Sequence, residues 1–354
     1  MNTANKAPLL SVIVPVFNTE QYLEKSLNSL LSSTLKDLEI IIIDDGSTDS
    51  SPEICDKFKA DNPDWNIKVI HKKNEGQSSA RNLGQQKSHG KYVTFCDSDD
   101  WVEPELFSTL VSAAEENSAQ AAICGIKYYN EVTKKFEYHT DSLFPSTLTK
   151  NTFNIETCKS VIRGLLDCSP CNKVYLRSFI EQHKISFDVQ CNFAEDNRFW
   201  AEYFLAAERL CLVNGGFYVY RINQNRQTIC TKAKKSYDSF AASMMIIRET
   251  FERHKLLDHF RGELIAFLAI QISVAYCNIL STRKKSFYKE CMEVLKTCKH
   301  FSFAHEGSFA VRLHSMYIYA VFRFLPFTVG NIAMLPLQIL RNSKIKKFLR
   351  RFAA

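Results

Sequence analysis

Three carboxylates, Asp97, Asp99 and Asp100, fall within four positions in the stretch FCDSDDW, residues 95–101, directly after the strand-like run KYVTF. Like charges this close repel one another, and burial cannot neutralise all of them, so a cation is expected among them. An Asp-x-Asp set at a strand end offers hard oxygen ligands, here Asp97 and Asp99, to Mg²⁺ or Mn²⁺. Such ions keep several waters and bridge to substrate phosphates. A capped turn into the helix near Pro104 also fits the stretch.

Two further segments carry chemistry of the same kind. In DDGSTDSS, residues 44–51, a strand ends in Asp44 and Asp45 and then turns through Gly-Ser-Thr. One acid could bond a base or ribose while Gly46 lets the backbone approach closely; a tight strand-to-helix turn whose Ser and Asp cap the helix accounts for it equally. In NEGQSSARNLG, residues 74–84, Gly76 lies in a loop and Arg81 in the first turn of a helix. Free N–H groups and a guanidinium at a helix start suit an anionic or carbonyl-bearing ligand, and an ordinary solvated arginine is the alternative.

These residues need elements to position them. LLSVIVPVF, LEIIIIDDG, NIKVIHK and KYVTFCD are apolar, β-branched runs of strand length. Between and after them, EQYLEKSLNSLLSS, SPEICDKFKAD, SARNLGQQKS and EPELFSTLVSAAEEN show helical spacing, with Ser50 or Ser51 as N-cap before Pro52. This alternation predicts a mostly parallel α/β sheet covered by helices, with ligands at the carboxyl ends of the strands. Both acidic clusters then face one crevice. Beyond AAICGIKYYN the pattern loosens: VTKKFEYHTDSLFPST reads as a loop or short hairpin, helical spacing returns at 155–166 and in AEDNRFWAEYFLAAE, and RLCLVNGGFYVYR reads as a strand. From about residue 235 the chain is helix-rich.

The composition suits a globular protein: 354 residues, 45% hydrophobic and 23% charged, with net charge +7. The 12 cysteines are scattered, many in apolar runs such as AAICGI, and read as small buried hydrophobes in a reducing compartment. Cys168 and Cys171 have CxxC spacing, but no second pair completes a zinc set. MNTANKAPLL lacks a signal pattern, so a cytoplasmic location is expected. FLPFTVGNIAMLPLQIL, residues 324–340, is uncharged and apolar, though broken by Pro326, Gly330 and Pro336; the tail RNSKIKKFLRRF adds six Lys or Arg and no acid. A segment lying on an anionic membrane surface, peripheral on the inner face of the cell membrane, is expected there.

Taken in order, SVIVPVFN, DDGSTD, GQSSARNLG, DSDD and AED resemble the inverting family 2 glycosyltransferases of GT-A fold, particularly bacterial enzymes of lipopolysaccharide, capsule or exopolysaccharide synthesis. The resemblance covers residues 9 to about 225. It implies a catalytic domain over 1–225; the spacing and charge pattern beyond it give a helical C-terminal region over 226–354 that ends in the basic, membrane-associating segment. It also implies roles. Pro15, Val16, Phe17 and Glu20 would line the base pocket; Asp45, beside Asp44, would bond the uracil ring; Gly76 and Arg81 would face base and phosphates. Asp99 would ligate the metal, and Asp97, with Ser98 between them, would reach ribose or a metal-bound water. Asp196, with Glu195 beside it, would be the base that deprotonates an acceptor hydroxyl. Lys173 in NKVYLRS and Arg221 in YVYR match segments around the acceptor and diphosphate; the loop after Arg221, INQNRQTIC, departs from the family pattern.

The implied reaction moves a hexose or N-acetylhexosamine from a UDP-sugar to a glycan or lipid-linked glycan, with Mn²⁺ or Mg²⁺ as cofactor and no nucleic acid among the partners. Two other classes fit parts of the pattern: a receiver-like Mg²⁺-binding signalling domain, and a non-catalytic nucleotide-sugar-binding scaffold. The signalling reading leaves the base-binding segment and the distant Glu-Asp pair without a purpose, and the intact acids argue against the scaffold.

Overall fold

The computed structural model describes residues 7–139, 151–153, 168–190, 195–222 and 247–256. The chain divides into two compact units, residues 1–158 with 163–226, and residues 159–162 with 227–354. In the second unit, residues 247–253 are helical, and Ile247 and Phe251, one turn apart, are both buried.

The first unit begins as strand and helix alternate: β1 (Leu10–Val16), α1 (Glu20–Leu31), β2 (Leu38–Asp44), α2 (Ser51–Asp61), β3 (Asn66–His71), α3 (Gln77–Lys87) and β4 (Tyr92–Phe95). β1 and β2 are buried at every position, which is why their sequences are continuous apolar runs rather than alternating ones. α1 turns Leu23, Ser26, Leu27 and Leu30 inward at helical spacing. Then come β5 (Trp101–Val102), α4 (Leu106–Glu116), β6 (Ala121–Asn130), β7 (Lys135–His139), β8 (Asn151–Phe153), β9 (Lys173–Leu176), α5 (Arg177–His183), α6 (Glu195–Ala206) and β10 (Leu210–Ile222).

These strands form one sheet in the order β3-β2-β1-β4-β9-β6-β10-β5, with β7 on β6 and β8 on β10. β3, β2, β1 and β4 are mutually parallel, as the alternation predicts. β9 is inserted antiparallel between β4 and β6, while β6 and β10 run parallel to each other. The segment read as a loop or short hairpin contributes β7, which returns antiparallel on β6. The helical pattern at 155–166 and the C-terminal segment 324–354 lie outside the described residues. Among those described, no helix is long and apolar enough to cross a membrane.

The sheet's far end is tied by a buried acid. Glu39 accepts from Ser11 Oγ at 2.7 Å, Lys68 Nζ at 2.8 Å and the His89 N–H at 2.6 Å, joining β1, β2, β3 and the turn after α3. Burial pulls its pKa upward, but these hydrogen bonds outweigh that and hold it low.

Candidate active site

Pro15, Val16, Asp44, Asp45, Asp97 and Asp99 lie at or just beyond the carboxyl ends of β1, β2 and β4. β1 carries Pro15 and Val16, both buried, and then presents Phe17, 47% exposed, to solvent. Glu20 opens α1 and accepts from the Ser50 N–H at 2.8 Å, while its own N–H donates to Asp49 at 3.1 Å, so the turn after β2 and the start of α1 lock together. Ser50 caps no N–H of α2 with its side chain; Asp49 takes the Ser51 N–H instead.

Asp44 and Asp45 are both almost fully buried, and each is spent on the protein. Asp44 accepts from the Ser47 N–H at 3.0 Å and pairs with His71 Nδ1 at 2.9 Å. Asp45 accepts from Lys72 Nζ at 2.7 Å and from the N–H groups of Glu75 at 3.0 Å and Gly76 at 2.7 Å. In the structure its carboxylate shapes the 72–76 loop, because a buried anion collects whatever donors lie within reach.

The acids after β4 divide the work among themselves. Asp97 Oδ1 accepts from Arg81 at 2.9 Å and from Gln77 Nε2 at 3.0 Å, two donors one turn apart on α3. Ser98 accepts from Thr19 Oγ1 at 3.0 Å, tying the loop to α1. Asp100 is buried beneath, accepting from the Tyr218 hydroxyl at 2.6 Å and the Arg221 N–H at 2.8 Å. Burial, then the charges of Asp99 and Asp97, push Asp100 well above the usual carboxylate range. Of the opening cluster, then, Asp100 is the structural member.

Arg221 donates from Nε to the Asp99 carbonyl at 2.7 Å and pairs with Glu131, its guanidinium lying against Tyr22 and Trp101. It fixes the backbone of Asp99 rather than standing open in the crevice. Lys173 departs further from expectation. It is fully buried, its ammonium donating to the Ser169 carbonyl and to Asn172 Oδ1 above the Trp200 ring, so it is part of the core.

Glu195 and Asp196 open α6 and come to the same place from far along the chain. Arg81, 3% exposed, reaches Glu195 Oε1 at 3.3 Å with one arm and Asp97 with the other. Burial foremost, then the Asp196 charge, raise Glu195 to about 7 despite Arg81. Burial likewise raises Asp196, with Arg81 partly offsetting it, and Asp196 Oδ1 accepts from the Asn197 N–H at 2.9 Å. An acid pair with elevated proton affinity beside a fixed cation suits proton transfer near neutral pH.

Among the described residues no group of three or more His, Cys, Asp or Glu is arranged to hold a metal by itself. Asp97 is oriented by Arg81 and Gln77, and Asp99 follows two residues later in the same turn, so the two acids are the candidate oxygen donors. That set fits an ion whose remaining ligands are phosphate and water, as Mg²⁺ is usually bound. Gln77 and Tyr218 were not singled out from sequence; Gln77 is four residues before Arg81 on one helix face, a spacing that could have found it.

Residues 11–184 match the sequence model of the family described as glycosyl transferase family 2. Bacillus subtilis EpsJ, an uncharacterized glycosyltransferase, is 35% identical over 221 residues, covering 62% of this chain and 63% of that protein, less than two thirds of its length. The putative glycosyltransferase EpsH of the same organism is 31% identical over 276 residues, covering 77% of this chain and 78% of EpsH. Residues 1–349 of Staphylococcus aureus TarS, crystallised with UDP-GlcNAc, superpose with a TM-score of 0.70 at 21% identity, covering 92% of this chain and 88% of that one. The fold is therefore GT-A, and the strand-end acids, the bridging arginine and the matched sequence agree: this chain belongs to the family 2 glycosyltransferases.

Proposed function

We propose that this glycosyltransferase acts with inversion and with a divalent metal, moving a hexose or N-acetylhexosamine from a UDP-sugar to a hydroxyl of a growing surface glycan, as in lipopolysaccharide, capsule or exopolysaccharide synthesis. The observation that carries this reading is Arg81, whose guanidinium holds Asp97 at 2.9 Å and Glu195 at 3.3 Å. It joins the acids after β4, suited to the donor's phosphates, to the acids of α6, suited to an acceptor. Both substrates can then meet in one crevice, and a single displacement needs no covalent enzyme intermediate.

In this reading Phe17 and the loops at the ends of β1 and β2 receive the base, and Asp97 and Asp99 hold Mg²⁺ or Mn²⁺. The bound ion supplies charge that offsets what builds on the departing diphosphate. Arg81 adds a fixed positive charge beside it. Asp196 takes the proton of the acceptor hydroxyl as that oxygen attacks; Glu195, engaged by Arg81, is its neighbour rather than the base. The apolar segment 324–340 and the basic tail bring the enzyme to an anionic membrane surface on the cytoplasmic side, where a lipid-linked acceptor lies.

The test is transfer by the purified chain from UDP-Gal, UDP-Glc, UDP-GlcNAc and UDP-GalNAc, with and without Mn²⁺. Asp196→Asn should lower transfer by roughly 10²–10⁴-fold while UDP still binds, and Asp99→Asn should remove the metal dependence of UDP binding. Wild-type turnover by Asp196→Asn, or UDP affinity indifferent to chelation, would reject the mechanism.

A further inference from the structure

We propose that Asn82 is a positioning residue that sets the Glu195–Asp196 turn against Arg81. The inference rests on the reading of those two acids as the acceptor side of the site. Asn82 follows Arg81 on α3 and brackets one residue of a distant segment: its Nδ2 donates to the Phe187 carbonyl at 2.7 Å, and its Oδ1 accepts from the Phe187 N–H at 2.8 Å. A carboxamide that satisfies both backbone groups of one residue fixes that residue's position and orientation together.

Phe187 in turn carries α6. Its ring stacks on Phe199 with centroids 4.1 Å apart and planes 1° apart, and Phe95 meets both rings edge-on. The next residue, Asp188, pairs with Arg198. Glu195, Arg198 and Phe199 are spaced i, i+3 and i+4, so they share one face of α6. That face therefore touches α3 twice. Its upper contact is direct, Glu195 on Arg81; its lower contact runs through Phe187 and Asp188 to Asn82. The Arg81 guanidinium also lies 5.1 Å from the Phe187 ring centroid, closing the circuit. With two anchors one turn apart the first turn of α6 cannot pivot. With the lower one released, the Arg81 contact at 3.3 Å still holds Glu195, while Trp200, Tyr203 and Phe204 keep the later turns of α6 in the core, so the loosening is confined to its first turn.

The experiment uses the full-length protein with Asn82→Ala, and with Asn82→Asp, which keeps the acceptor and loses the donor. Hydrogen exchange of the Phe199–Glu202 amides, which bond back to the carbonyls of the first turn of α6, should quicken by at least about tenfold in Asn82→Ala, and in the same direction in Asn82→Asp, while β1 and β2 amides are unchanged. Transfer kcat should fall about 10- to 100-fold, the scale expected for a small misplacement of a reacting group, with the Kd for UDP within about twofold of wild type. Ser11→Ala, which removes a hydroxyl bonded to Glu39 and to the Gly90 N–H at the far end of β1, controls for general loss of stability. It should lower Tm without quickening exchange in α6. Unchanged exchange in both Asn82 variants, equal acceleration by Ser11→Ala, or loss of UDP binding alongside kcat would overturn the inference. Exchange does not depend on turnover, so an inactive wild-type protein would refute the proposed reaction and leave the positioning role to be judged by α6 alone.

Discussion

Replacing Glu195 by glutamine should make the protein more stable at pH 8 while leaving its stability at pH 5 nearly unchanged. The carboxyl is raised from its ordinary 4.5 to about 7, first by burial and then by the Asp196 charge, with Arg81 giving back only part. At about 1.4 kcal/mol for each tenfold change in proton affinity, the folded protein holds the ionised form at a disadvantage of about 3 kcal/mol. Because the folded value lies above the unfolded one, the unfolded chain binds fewer protons between pH 4.5 and about 7. Stability therefore falls across that window and is level above it. Glutamine keeps the shape and does not ionise, so the variant escapes the loss. Since Asp196 shares the burden, the gain expected at pH 8 is on the order of 5 °C in Tm. Scanning fluorimetry in the presence of chelator at pH 5 and pH 8 measures it directly. A variant no more stable than wild type at pH 8 would mean that the Arg81 ion pair outweighs burial, and the account of why these acids have high proton affinity would be wrong.

At the opposite end of the sheet, Glu39→Gln should destabilise by about 1–3 kcal/mol, because it leaves Lys68 and the His89 N–H with weaker acceptors in a buried setting. Glu39 is held low in the folded state, so its contribution is present at neutral pH and disappears as pH falls through the acid range; the gap in thermal stability between Glu39→Gln and wild type should narrow on going from pH 7 toward pH 4. Gly84→Ala should cost about 1–3 kcal/mol through overpacking, since a Cβ there would meet Ile13 Cγ2 at 2.3 Å where α3 presses on β1. A thermal melt of Gly84→Ala matching wild type would show that the helix can retreat from the sheet.

Local sequence carried much of this architecture. The runs SVIVPV and EIIII are strands in any context that can bury both faces, and the helices between them show their inward stripes at helical spacing. Once four strands alternate with helices, the acids that close them must share one edge, so the crevice and its candidate residues could be read without coordinates. β9 could not. It is four residues long, Lys173–Leu176, and its place between β4 and β6 comes from pairing with strands about 50 to 80 residues away in sequence, which no local pattern records.

The same division runs through the site. Composition and spacing determined which residues were available: acids after β2 and β4, an arginine early in α3, a Glu-Asp pair at the start of α6. Tertiary structure decided what each is used for. It committed Asp45 to the 72–76 loop, Asp100 to Tyr218 and Arg221, and Lys173 to Ser169 and Asn172, and it placed Arg81 between Asp97 and Glu195. The physical reason is desolvation. A charge removed from water takes the partners that folding brings within about 3 Å, and those partners are chosen by packing across the whole chain rather than by its neighbours in sequence.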